Sequence, residues 1–193
     1  RHYCIDGATD MLSGKYGLKY NPGFVKNPDF KTGLDGWSIE GNVSHDTAAG
    51  FGRPSLKLLG TGSCGESFAV FSRGDRPNRI SQKMSGLVPG ETYSLQFVTF
   101  DADDAKAHRF APRKIAVAAE LDSGVRILPE HSWRYVDRES DTRRGKKSSA
   151  RVNVNYIMFE ANAAEIELSF NDAAAKPGER LGLNWIHLVK YLK

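Results

Sequence analysis

The sequence predicts an all-β protein, a sandwich or barrel, on three observations. Short runs rich in β-branched and aromatic residues recur from residue 24 onward, parted by clusters of Gly, Pro, Asn and Asp. Several runs alternate with period two: between Thr92 and Asp101, Tyr93, Leu95 and Phe97 share one face, and Ser94, Gln96 and Val98 the other. No long amphipathic helix and no internal repeat interrupts the pattern. The 193 residues suffice to bury a core without disulfides. Residues 1–23, rich in Gly and Tyr without a period, read as a linker or the tail of a preceding domain; residues 24–193 read as one domain.

Ten strands are expected in order. Gly36–Glu40 follows a Gly-rich turn and carries Trp37, able to plug one end of a sandwich. Ser55–Leu59 and Ser67–Ser72 are short apolar runs. Arg79–Leu87 and Thr92–Asp101 flank Pro89-Gly90, a turn pair. In Arg113–Leu121, Ile115, Val117, Ala119 and Leu121 form an apolar face; Lys114, Ala116, Ala118 and Glu120 form a small, polar one, suited to a wet groove floor or to plain solvent. Trp133–Asp137 places Trp133 and Tyr135 on one face. In Val152–Ala161, Ile157 and Phe159 facing a core would turn Tyr156 and Met158 outward, where Gln96 and Lys114 could join them. Glu165–Asn171 and Gly182–Tyr191 complete the set. Residues 101–112, 138–151 and 172–180 read as loops, the second strongly basic.

Composition excludes several classes. No apolar run approaches the roughly 18 residues of a membrane span. A net charge of +4 tolerates acidic partners without demanding nucleic acid, and the basic residues concentrate in one loop that lacks interleaved aromatics. The chain begins at Arg1, which reads as a fragment of a longer protein with any export signal outside it. Cys4 and Cys64 fit no metal or redox motif; a disulfide and two unrelated thiols both stay open. There is no Gly-x-Ser-x-Gly elbow, His-Glu-x-x-His or phosphate-binding Gly loop. His131, Arg134 and Tyr135 could imitate a lyase cluster, but alternate strand residues point to opposite faces. The domain itself is therefore expected to be non-catalytic.

Two stretches are the most informative: Asn27-Pro-Asp-Phe-Lys-Thr-Gly-Leu-Asp-Gly-Trp37, and Gln82 followed by Leu87-Val-Pro-Gly-Glu-Thr-Tyr93. Pro54-Ser-Leu-Lys-Leu58, Phe159, Ala163-Ala-Glu-Ile-Glu-Leu-Ser-Phe170 and Leu183-Asn-Trp-Ile-His-Leu-Val189 follow in the same order. Together they resemble the galactose-binding-like jelly-roll group of carbohydrate-binding modules, in particular families four, nine, sixteen and twenty-two. The resemblance implies a β-sandwich jelly roll that binds a polysaccharide or oligosaccharide. It also implies a neighbouring catalytic domain in a secreted or cell-surface carbohydrate-active enzyme, with neither nucleic acid nor membrane as partner. The group often holds a structural Ca2+ through a carboxylate after the opening Phe and an Asp in the closing strand. Lys31 and Asn184-Trp185 stand there instead, leaving Asp29, Asp46 and Asn184 as oxygen donors.

Sugar rings stack their C–H faces on Trp and Tyr while polar groups read the hydroxyls. Trp133, Tyr135 and Tyr156 are the expected stacking residues, with Gln96, Arg109 and Glu120 as hydrogen-bonding groups. Each has a plainer reading: the aromatics as core, and Tyr156 as part of an ordinary outer face. His108 and Arg109, with Asp101, Asp103 and Asp104, are either a hydroxyl clamp, a calcium loop or a solvated tip. The basic 138–151 segment suits sulfated or uronic polysaccharide, or simply solvent. Trp37 and Trp185 are expected as core plugs. The competing reading is a structural or protein-binding sandwich whose interface lies at residues 1–23, near Tyr16 and Tyr20.

Overall fold

The computed structural model describes residues 23–48, 67–107, 117–138 and 151–191; for 134–138 and 151 it describes the backbone. Among these residues the alternating runs form eleven strands: β1 Ser38–Glu40, β2 Val43–Thr47, β3 Ser67–Ser72, β4 Arg79–Ser85, β5 Thr92–Asp101, β6 Ala118–Leu121, β7 Val125–Ile127, β8 Trp133–Arg138, β9 Arg151–Ala161, β10 Glu165–Asn171 and β11 Arg180–Lys190. All pairings are antiparallel. One sheet runs β1-β4-β10-β6. The other runs β2-β3-β11-β5-β9, with β7 and β8 paired in succession along the far side of β9. The chain passes repeatedly between the two sheets, as in a jelly roll, and the fold is an all-β sandwich.

The inner faces build the core. Ile80, Met84, Ile166, Leu168 and Phe170 of the smaller sheet meet Phe71, Tyr93, Leu95, Phe97, Phe159, Leu183 and Leu188 of the larger one. Each of these large side chains is buried, and full burial of one contributes about 1.5–3 kcal/mol. Trp37 belongs to this core as expected, edge-on to Phe170.

The two informative motifs are architectural. The Asn27 side chain donates to the carbonyls of Gly33 (3.0 Å) and Asp35 (3.1 Å), closing the 27–36 loop on itself. Gln82, buried on β4, accepts from the Lys26 amide (2.7 Å) and donates to the carbonyls of Lys26 and Gly36, so it ties that loop to the sandwich. In the Pro89-Gly90 turn, Gly90 takes φ +85°, the left-handed conformation such a turn needs at its second central residue. The Tyr93 hydroxyl then accepts from the Val88 amide at 2.8 Å. At the opposite end, fully buried Asp172 accepts from the Asn78 backbone (2.6 Å) and side chain (2.7 Å).

Four expectations need correction. Residues 102–106 form a helix, α1 (Ala102–Lys106), not a loop: Asp101 caps it by accepting from the Asp104 amide, and Asp103 and Asp104 favour its first turn. β2 and β7 are strands that were not expected; β2 is five residues and mostly polar, and β7, Val-Arg-Ile, is too short to show a period. The third expected loop ends early, because β11 begins at Arg180. Trp185 is not a plug of the inter-sheet core but packs on the outer face of the larger sheet. The expected strand at 55–59, the residues 113–116, the cysteines, Tyr16 and Tyr20 lie outside the described residues.

The two outer faces differ. That of the smaller sheet is polar, with Arg79 paired to Glu40 (2.7 Å) and to Glu167. That of the larger sheet carries a second apolar cluster of Phe68, Val70, Val98, Phe100, Val152 and Val154, against which Ala102 and Ala105 of α1 pack.

Candidate functional site

The register of the larger sheet sets Trp133, Tyr156, Gln96 and His187 directly across from one another on β8, β9, β5 and β11. This row lies beside the outer apolar cluster, on which Tyr156 also packs. At its β8 end the edge strand is interrupted by a 3-10 turn, Pro129–His131. The Ser132 hydroxyl repairs the gap: it donates to the Leu128 carbonyl (2.8 Å) and accepts from the Met158 amide (3.0 Å). The Leu128 amide donates to the Met158 carbonyl at 2.8 Å. This junction starts β8 with Trp133 opposite Tyr156.

The two rings stack, with centroids 4.3 Å apart and planes 25° from parallel. Neighbouring strands lie about 4.8 Å apart, so both rings stand upright on the sheet. One face of Trp133 is therefore covered by Tyr156. Trp133 is 50% exposed. Tyr156 is partly buried, and that burial raises its hydroxyl pKa above the usual value. Tyr156 thus acts as a prop for Trp133 more than as a second platform. Glu130 and His131, both exposed and 3.8 Å apart, stand on the turn just before Trp133. Gln96 is only 6% exposed, so its amide borders the row from below. Burial pushes the His187 imidazole below its ordinary pKa, which favours the neutral ring.

The remaining expected site residues lie elsewhere. Tyr135 pairs through its backbone with Val154, two residues along β8 from Trp133. Glu120 is exposed and pairs with Ser169 in the smaller sheet, so the thickness of the sandwich separates it from Trp133. Its strand alternation was legible, but which sheet β6 joins was not. Lys114, His108, Arg109 and residues 139–150 lie outside the described residues. His187 was not singled out from the sequence; its place across from Gln96 depends on a bulge in β11 that precedes it.

Each of the oxygen donors weighed for calcium has a partner within the protein. Asp46 is engaged by Lys106 (2.8 Å) and Arg180 (3.8 Å). Burial would raise its pKa, but the Lys106 hydrogen bond and the two positive charges outweigh that and hold it low. Asn184 is committed to the Ser67 carbonyl (2.6 Å) and to the Trp185 amide, and Asp29 has Lys31 at 3.8 Å. Among the described residues no group of three or more His, Cys, Asp or Glu is placed to hold a metal ion, and no helix is long and apolar enough to cross a membrane.

No family model matches the chain. No curated protein matches it either. Among solved structures it is similar to the enzymatically active domain of bacteriophage CBA120 tailspike protein 4, at 12% identity and a TM-score of 0.49 over 88% of this chain. The chain spans 21% of that tailspike chain. It is also similar to TmCBM61, solved in complex with β-1,4-galactotriose, at 16% identity and a TM-score of 0.42, over 89% of this chain and all of the other. At these values the likeness assigns no function.

Proposed function

We propose that this domain is a non-catalytic carbohydrate-binding module whose site is the outer face of the larger sheet at its β8–β9 edge. The observation that carries the reading is the half-exposed Trp133 ring held upright on Tyr156. An aromatic face so fixed loses little conformational entropy when a pyranose C–H face stacks on it. Glu130 and His131 stand close enough in sequence to read hydroxyls beside it. Tyr135 adjoins the same strand. The ligand is a polysaccharide or oligosaccharide. In a longer secreted chain such a site would hold an attached catalytic domain on its substrate, because tethering turns weak affinity into a high effective concentration. The motif likeness to families four, nine, sixteen and twenty-two makes neutral polysaccharides the first ligands to try.

Affinity electrophoresis against neutral, uronic and sulfated polysaccharides tests this, with chelator present and absent. Retardation on a neutral gel, abolished by Trp133→Ala and indifferent to chelator, is expected. Retardation by none of the gels would sink the reading. It would favour a structural or protein-binding sandwich, for which exposed Val88 and Tyr191, beside the Glu91–Lys190 ion pair, offer an apolar contact surface.

A further inference from the structure

The most anomalous residue of the described chain is Trp185, and three separate observations meet on it. Its backbone is left-handed, with φ +51°, a conformation rare for a bulky side chain. It lies in a bulge: Asn184 pairs with Val98 and His187 with Gln96, so Trp185 and Ile186 together oppose Phe97. Its indole Nε1 is buried and has no hydrogen-bond partner among the described residues.

The bulge explains the direction of the ring. Leu181 and Leu183 face the core, and so do Ile186 and Leu188. Strict alternation cannot put both pairs inward, since it would turn residues 186 and 188 out. The extra residue restores the phase and turns Trp185 onto the outer face, where it packs on the same apolar cluster as Tyr156. The Asn184 side chain then takes up the freed Trp185 backbone amide and anchors itself on the Ser67 carbonyl. A strained backbone, its dedicated clamp and an unsatisfied donor are held together on one side chain, on the face that bears Trp133.

We propose that Trp185 is a second ligand-binding residue of this face, donating its indole N–H to a hydroxyl oxygen of the bound glycan. The proposal rests on the carbohydrate-binding reading and adds a residue and a role to it. Trp185 and Trp133 would then grip the ligand on either side of β9 and β5. Nε1 is closed to solvent, so the ring must turn about its side-chain torsions to present it.

The test is a titration of 15N-labelled domain with xylan, cellulose and galactan oligosaccharides in turn, following the indole N–H signals. There are three, from Trp37, Trp133 and Trp185, and Trp185→Phe identifies the last. A downfield move of the Trp185 signal is expected on binding, with affinity about tenfold weaker in Trp185→Phe, the equivalent of one hydrogen bond. The variant keeps an aromatic side chain, though a smaller one, so an unchanged melting temperature separates lost binding from lost folding. A Trp133 signal that moves while Trp185 stays still, or a Trp185→Phe that binds as the parent does, overturns this proposal and leaves the carbohydrate reading standing. Silence of both signals with every sugar sinks the carbohydrate reading and this inference with it.

Discussion

At the residue scale, the stack of Trp133 on Tyr156 divides labour between two rings that the sequence presents as equals. If Tyr156 only props, Tyr156→Phe should bind a glycan within about twofold of the parent, while Tyr156→Ala should lose most affinity by letting the indole collapse; the stack itself contributes about 0.5–1.5 kcal/mol. Isothermal titration of the two variants decides it, and equal losses would contradict the prop. His187 makes a second prediction. Its native pKa lies below the ordinary 6.5, so the unfolded chain takes up the proton first. The stability that comes from keeping it neutral is complete above pH 6.5 and is lost as pH falls through the lower native value. Melting temperature should therefore drop as pH falls below 6.5, and His187→Gln should flatten that fall. A third concerns Asn78. Its truncation to Ala strips the side-chain hydrogen bond from the buried Asp172 carboxylate, leaving the backbone one, and should cost about 2 kcal/mol, read by urea unfolding.

At the scale of elements, clean alternation was read and departures from it were missed. β3, β5 and β10 stand where their patterns place them, because each is buried on at least one face. The parity of β11 was also in the sequence: apolar residues at 181 and 183 and again at 186 and 188 cannot share a face without an inserted residue. That change of phase was the available signal for Trp185. Helix α1, expected as a loop, also had a signal in the sequence, an Asp cap followed by two acidic residues. β7 had none, since three residues carry no period. β11 also holds Gly182, whose added Cβ would lie 2.2 Å from Cε2 of Phe100. Phe100 is itself wedged edge-on against Phe68 at 5.0 Å. Gly182→Ala should therefore destabilise the protein by about 1–3 kcal/mol through overpacking, and a neutral effect on the melting temperature would show that the ring gives way.

For the whole molecule, the unlike outer faces decide where a ligand goes. The fold class follows from local pattern, but which strand joins which sheet depends on contacts far apart in sequence; Glu120 and Trp133 are near neighbours in the chain and lie on opposite sheets. The smaller sheet presents paired charges to water, of the Arg79 with Glu40 and Glu167 kind, and such a face is already satisfied. The larger sheet presents the aromatic surface of Trp133 and Tyr156. Binding there should be driven by stacking and apolar burial, with little help from the net charge of +4. Salt separates the two origins, because the Debye length shrinks from about 10 Å at 0.1 M to about 3 Å at 1 M. Affinity for a neutral glycan should stay within about twofold across that range, since stacking is not screened. Loss of retardation at the higher salt would instead move the site away from Trp133 and toward the basic residues between 138 and 151, whose guanidinium groups would pair with sulfate or carboxylate.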